Sequence, residues 1–231
     1  MSTKRVLLKL SGEALSGDGQ SINEKSLVRT AKEIKSACGA NVIELAIVIG
    51  AGNIWRGAGK SIDRVTADKM GMTATVMNAL ALCDVLKNEG LKSKVFCAPG
   101  VSGFVKNFDR DEAVRCIEKG YIIIFAGGTG NPYFTTDTTA ALRAAEIKAD
   151  VLFKATQVDG IYDDDPKKNE KAVKFDKLTF KEAIDKNLKI MDTEAFSICM
   201  QADISISVFD FYKNGNLRKI LNGEKIGTKV T

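Results

Sequence analysis

Residues 121–137 read Tyr121-Ile122-Ile123-Ile124-Phe125-Ala126-Gly127-Gly128-Thr129-Gly130-Asn131-Pro132-Tyr133-Phe134-Thr135-Thr136-Asp137. The first six residues form an unbroken apolar run of strand length, cut off by glycine, which is the pattern of a buried strand entering a loop. Glycines, four hydroxyls (Thr129, Tyr133, Thr135 and Thr136) and a carboxylate then crowd the connection to a helical pattern at 137–149. A structural connection rarely needs so many polar groups. Thr135, Thr136 and Asp137 fall at the expected helix start, where free amides and the helix dipole favour an anion. An elaborate N-cap is the plainer reading of the same residues.

Outward from this segment the chain repeats the design. Residues 5–10 are an apolar run broken by Ser11-Gly12, and residues 42–49 are another, stopped by Gly50-Ala51-Gly52. Shorter runs at 95–98, 151–155 and 204–209 read as further strands. Helical patterns lie between them. Leu27, Ala31, Ile34 and Cys38 repeat at helical spacing up to Gly39, with Ser21-x-x-Glu24 as a capping box. Met70, Val76, Met77, Leu80 and Leu86 continue to Gly90. Asp109-x-x-Glu112 opens a helix ending near Gly120, and Thr179-x-x-Glu182 and Asp192 open two later ones. The charged residues 163–177 read as a surface excursion in the form of a hairpin. Uniformly apolar strands alternating with helices predict an α/β chain with a mostly parallel sheet covered on both faces. Ligands of such sheets bind beyond the carboxyl ends of the strands. The glycine-rich segments after Leu10, Ile49 and Ala126 all fall there.

The 231 residues are 45% hydrophobic and 27% charged, with a formal net charge of +5. No linker, repeat or low-complexity tract divides them, so 1–231 reads as a single domain. Lys and Arg are interleaved with Asp and Glu, so no basic stripe marks a nucleic-acid partner. No apolar run approaches the roughly 20 residues of a membrane span, and the first residues lack the apolar core of a signal peptide. The expectation is a cytoplasmic protein. Cys38, Cys83, Cys97, Cys116 and Cys199 form no CxxC pair and read as small hydrophobes. There is no histidine. That excludes Ser-His-Asp and Cys-His machinery and His-ligated metals. Lys, Arg, Asp and backbone amides remain, and these are the devices of phosphoryl transfer.

Lys9-Leu10-Ser11-Gly12 closes the first strand. A lysine there can reach phosphates that loop amides cradle, or it can simply point to solvent ahead of a turn. It is not a P-loop, because GxxxxGK[ST] is absent. Gly50-Ala51-Gly52-Asn53 lets main chain approach a ligand, and Arg56 beyond it can clamp a phosphate or sit on the surface. Lys154-Ala155-Thr156 leaves its strand toward the same rim, where a second lysine would offset charge on a transferring group. Asp159-Gly160, Tyr162 and Asp165-Pro166 also suit turns, and Met191-Asp192 also suits an N-cap.

These segments, together with Asp68-Lys69-Met70-Gly71-Met72, resemble bacterial uridylate kinases of the amino acid kinase superfamily. The similarity runs collinearly from about Arg5 to the C-terminus, including Gly223-Glu224-Lys225 and Gly227-Thr228. The segment from Gly130 to Asp137 is specific to uridylate kinases within that superfamily. The resemblance implies a three-layer αβα sandwich, a homohexamer, and transfer of the γ-phosphoryl of ATP to UMP in pyrimidine nucleotide biosynthesis. Mg2+ would be carried by ATP, with no protein metal site assigned. It implies ATP contacts from Lys9, Leu10, Ser11, Gly12, Gly52, Arg56, Thr156, Tyr162 and Asp165. UMP contacts would come from Ala51, from Asp68 through the ribose hydroxyls, and from Thr129, Gly130, Asn131, Pro132, Tyr133, Phe134, Thr135 and Thr136. Lys9 would stabilise the transferring phosphoryl, with Lys154 as a second cation and Asp137 and Asp192 organising the site.

The chain departs from that family at Ala51, where most members have glycine, and at Lys69, where many have histidine. Cys83, Lys94 and Tyr121 stand where some members use arginines to bind GTP as an activator. Two other readings share the fold. One is a kinase acting on a carboxylate or carbamate, which would need neither the Thr-rich segment nor Asp68; the other is a nucleotide sensor without catalysis.

Overall fold

The computed structural model describes residues 4–39, 43–57, 61–101, 103–166, 168–186, 188 and 191–231. In chain order the strands are β1 (Lys4–Leu10), β2 (Ile43–Ile49), β3 (Ser93–Cys97), β4 (Ile122–Ala126) and β5 (Val151–Thr156), then β6 (Ile161–Tyr162), β7 (Lys174–Phe175), β8 (Lys177–Leu178), β9 (Ser205–Asp210) and β10 (Thr228–Val230). The helices are α1 (Glu24–Cys38), α2 (Arg64–Asn88), α3 (Arg110–Glu118), α4 (Thr136–Glu146), α5 (Phe180–Asp185), α6 (Thr193–Gln201) and α7 (Asn216–Leu221). A 3-10 turn, Gly12–Leu15, follows β1.

Eight strands form one sheet in the order β3-β4-β2-β1-β5-β9-β10-β8, parallel throughout except for the β9–β10 pair. The four central strands are apolar on both faces because each face packs on helices. Successive side chains of a strand point to opposite sides. Leu8 and Leu10 of β1, with Ile47 of β2 and Ile124 of β4, thus join Ile34, Leu82 and Leu217 from α1, α2 and α7 in one core layer. Leu7, Val48 and Phe125 face the other way, onto Ile117, Ala140, Ala144 and Phe196 from α3, α4 and α6. The result is the three-layer αβα sandwich on a mostly parallel sheet.

Most expected elements are present with shifted ends, and position 42 lies outside the described residues. The cap of α1 differs from expectation. Asn23, two residues beyond Ser21, has the extended backbone of a cap, and its side chain accepts from Ser26 N–H at 3.1 Å. Asp109 and Thr179 cap as expected, the latter with a complete capping box. The 163–177 excursion resolves into the β6–β7 hairpin plus β8, with position 167 outside the described residues. Patterning gave no sign of α7 or β10. No described helix is long and apolar enough to cross a membrane. All five cysteines are free thiols. Burial pushes Cys38 up to about 11 and Cys199 up to about 12, so both pack as neutral side chains.

Candidate active site

The carboxyl ends of β1 and β5 bring two lysines side by side, since Lys9 and Lys154 are register partners in the parallel pair. Asp137, from the first turn of α4, sits between them. Lys154 Nζ donates to Asp137 Oδ2 at 2.7 Å. Lys9 Nζ forms an ion pair with Oδ1 at 2.9 Å. Burial alone would raise the Asp137 carboxyl, but the charges of Lys9 and then Lys154 outweigh it and hold the group below the usual carboxylate range. Lys154 is held below its ordinary value, by burial first and with the Lys9 charge adding, while Asp137 opposes the shift. The cluster is thus one carboxylate with two ammoniums, cationic in sum and shielded from water.

Asp137 is fixed by how α4 begins. The Thr135 hydroxyl caps the helix, accepting from Asp137 N–H at 3.0 Å and Thr138 N–H at 3.2 Å, and it donates to Asp192. Thr138 donates to the same Asp192 oxygen at 2.8 Å. The other oxygen of Asp192 accepts from Ala195 N–H at 2.9 Å, capping α6. Asp192 therefore fastens the starts of α4 and α6 together, and its charge also favours the Lys154 ammonium.

The two glycine loops are locked to each other. A Cβ on Gly12 would fall 2.0 Å from Asn53 Oδ1 and 2.7 Å from Gly50 O, so only glycine fits. Asn78, fully buried in α2, donates to Gly50 O and to Asn53 Oδ1, each at 2.8 Å. Asn53 returns a bond to Asn78 Oδ1 at 3.1 Å. Ala51 is buried and its φ is not in the left-handed region. Arg56 donates to Gly52 O at 3.0 Å and forms an ion pair with Glu13, which also accepts from Gln157 at 3.2 Å. The arginine expected to clamp phosphate is thus held over the Gly12 loop by a neighbouring carboxylate.

Two cavities share Lys154 of the cluster, and a third lies beside the start of α4. The largest, about 650 Å³, is walled by Lys154, Thr156, Gly160, Tyr162, Asp165 and Val208 among others. A second, about 210 Å³, shares Lys154 and Thr156 with it and adds Lys9, Leu10, Ser11, Gln157 and Tyr212. The Tyr162 hydroxyl donates to Asp159 at 2.6 Å, which lowers the carboxyl and raises the phenol. The third cavity, about 240 Å³, is lined by Ala51, Gly52, Trp55, Asp68, Phe134, Thr135 and Thr136, with others. Asp68 accepts from Tyr133 N–H at 2.8 Å and from Arg64 Nε at 2.7 Å. Those two bonds, Tyr133 first, outweigh a desolvation that would raise the carboxyl, and its value is lowered.

Thr129, Gly130, Asn131, Pro132 and Tyr133 do not line this third cavity; they form an arch beside it. Tyr133 is exposed with φ +72°, a rare backbone for a side chain of its size, and the Arg64 guanidinium lies 5.2 Å from its ring centre. Among the described residues no three His, Cys, Asp or Glu side chains are grouped to hold a metal ion.

A sequence profile of the amino acid kinase family matches residues 4–210, nearly the full sheet described above. The chain belongs to the amino acid kinase family. Solved structures of this amino acid kinase type are similar to it over its whole length. A UMP kinase from Ureaplasma parvum is 35% identical, with 100% of each chain covered and a TM-score of 0.93. A UMP kinase from Bacillus anthracis is 37% identical, with 100% of this chain and 97% of that one covered and a TM-score of 0.94. A uridylate kinase from Archaeoglobus fulgidus is more distant, at 29% identity, coverage of 98% and 99%, and a TM-score of 0.74.

Sequence reading missed Asn78, Arg64, Glu13 and Thr138 in this kinase. Only Asn78 carried a signal, as a lone amide within the apolar stretch 76–82.

Proposed function

We propose that this chain is a UMP kinase that transfers the γ-phosphoryl of ATP to UMP, giving UDP and ADP. The observation that carries the reading is the Lys9–Asp137–Lys154 cluster. A large cleft bearing Tyr162 and Asp165 opens at Lys154, and a smaller cavity bearing Asp68 lies beside Thr135 and Thr136, just ahead of Asp137 in the chain. The first, with the adjoining cavity of Lys9, Leu10 and Ser11, suits ATP, with Gly12, Arg56, Thr156, Tyr162 and Asp165 as further contacts; Gly52, expected beside ATP, lines the Asp68 cavity. The second suits UMP, with Ala51, Asp68, Phe134, Thr135 and Thr136 around it and the 129–133 arch closing beside the base.

The attacking group is a phosphate oxygen of UMP. A phosphate monoester has a second pKa of about 6, so it is dianionic at neutral pH and no base is needed. In transfer, the bond between the γ-phosphorus and its bridging oxygen breaks as the UMP oxygen bonds to phosphorus. The barrier is mutual repulsion of two anions, and Lys9, Lys154 and the loop amides offset it without reorganising. Arg56 reaches the donor phosphates by exchanging Glu13 for them. Asp137 holds both lysines in place, and Asp192 holds Asp137 through the start of α4. In this reading Mg2+ is carried by ATP, and no residue of the chain is assigned to it.

The same reading takes 1–231 as one amino acid kinase-type domain acting in the cytoplasm, in pyrimidine nucleotide synthesis, with neither membrane nor nucleic acid as a partner. Self-association is supported by Met70, Met77 and Leu80, which lie 39%, 52% and 40% exposed along α2, and a homohexamer is the assembly that the family resemblance implies. A coupled ADP-release assay with UMP, CMP, dUMP, acetylglutamate, aspartate and carbamate tests the function. Selective turnover of UMP is expected. Turnover with a carboxylate or carbamate alone would reassign the acceptor, and nucleotide binding with no ADP release would make the chain a sensor.

A further inference from the structure

The proposed reaction leaves Gly227 and Thr228 without a role, yet both are tightly constrained. Gly227 has φ +75°, and a Cβ there would sit 1.9 Å from the Val208 carbonyl oxygen, so the chain presses directly onto β9. That approach delivers Thr228, 1% exposed, to the start of β10. Its hydroxyl accepts from Ile161 N–H at 2.8 Å and donates to the Phe175 carbonyl. One hydroxyl therefore serves a backbone group on each strand of the β6–β7 hairpin. Gly160 gives it room, since a Cβ there would come within 2.7 Å of the Thr228 oxygen. The hairpin pairs only two residues per strand, which is too little to hold itself in place. It carries Tyr162 and leads into Asp165, both in the wall of the cleft that also holds Lys154.

We infer that Thr228 is a positioning residue for the phosphoryl-donor nucleotide: its buried hydroxyl latches the β6–β7 hairpin to the main sheet and so sets the outer wall of the donor cleft. The inference rests on the reading of that cleft as the ATP site. Valine would fill the same space but leave a buried amide and a buried carbonyl unpaired. Serine keeps the hydroxyl. None of the latch contacts reaches the cavity that holds Asp68.

Steady-state kinetics with ATP and UMP varied separately test this. Thr228→Val should raise KM for ATP about tenfold, with kcat and KM for UMP within about twofold. Thr228→Ser should return KM for ATP to that of the unsubstituted protein. An unchanged KM for ATP in the valine variant, or equal rises in both KM values, would overturn the latch. If the valine variant does not fold, amide exchange in the unsubstituted protein decides. An Ile161 amide as slow as those of β9 supports the latch, and one as fast as an exposed amide contradicts it. Failure of the unsubstituted protein to turn over ATP with UMP would count against the proposed function, and exchange at Ile161 would still judge the latch.

Discussion

Lys9 and Lys154 are register partners on adjacent parallel strands, and their ammoniums bind opposite oxygens of one carboxylate, Asp137, at 2.9 and 2.7 Å. Two cations at this spacing repel each other, and Asp137 between them offsets that repulsion. A phosphoryl group passing over the pair adds negative charge where the protein already holds an excess of positive charge.

Lys9→Ala should lose about 100-fold or more in kcat while UMP still binds. The charge that Lys9 meets develops in transfer and is absent from bound UMP. Turnover measured beside calorimetric UMP titration checks both halves, and near-normal kcat would remove Lys9 from the chemistry.

The pH profile should report Lys154. Burial and the Lys9 charge hold its folded value below the ordinary 10.5, so its ammonium is lost as pH rises through that lowered value. Activity should therefore decline on the alkaline side before pH 10.5. Arginine stays protonated to above about 12, so Lys154→Arg should move the decline to higher pH even if its rate is lower. A decline that does not move with this substitution would assign the titration to another group.

Asp68→Ala should weaken UMP and blunt discrimination against dUMP. Loss of a hydrogen bond to an ionised group costs about 1.5–3 kcal/mol, roughly 10- to 150-fold in Kd. The same carboxylate holds the Tyr133 amide, so the arch loosens as well. Equal Kd values for UMP in the two proteins would leave Asp68 with the arch alone.

How much of this was legible in the sequence differs between sheet and site. The central strands were plain because both faces are buried and the runs are uniformly apolar. β10 has three residues and α7 six, too short for any period to show. The cap of α1 was misplaced because Ser21 matched a spacing rule, while the fold puts extended backbone at Asn23. Lys9, Asp137 and Lys154 stood out as charges at the ends of apolar or helical runs. Their supports did not, because those contacts join distant segments: Asn53 to Asn78 across 25 residues and Ile161 to Thr228 across 67. Arg56 was legible as a cation, but its pairing with Glu13 was not, since that contact depends on how two loops are folded together.

Ala51→Gly should leave UMP affinity unchanged and lower stability by about 0.4–1 kcal/mol. Alanine already has a backbone outside the left-handed region here, so glycine relieves no strain and only loosens the unfolded chain. A UMP titration and a thermal melt of both forms check this. A gain in both affinity and stability would show that the methyl group is a burden.

The central claim is direct transfer from ATP to UMP over the Lys9–Asp137–Lys154 cluster, and γ-labelled ATP tests it most directly. With UMP present, label should appear in the β-phosphate of UDP at the rate of ADP release, and Lys9→Ala should slow both together. ADP release with the label in inorganic phosphate, or retained on the protein, would contradict the account.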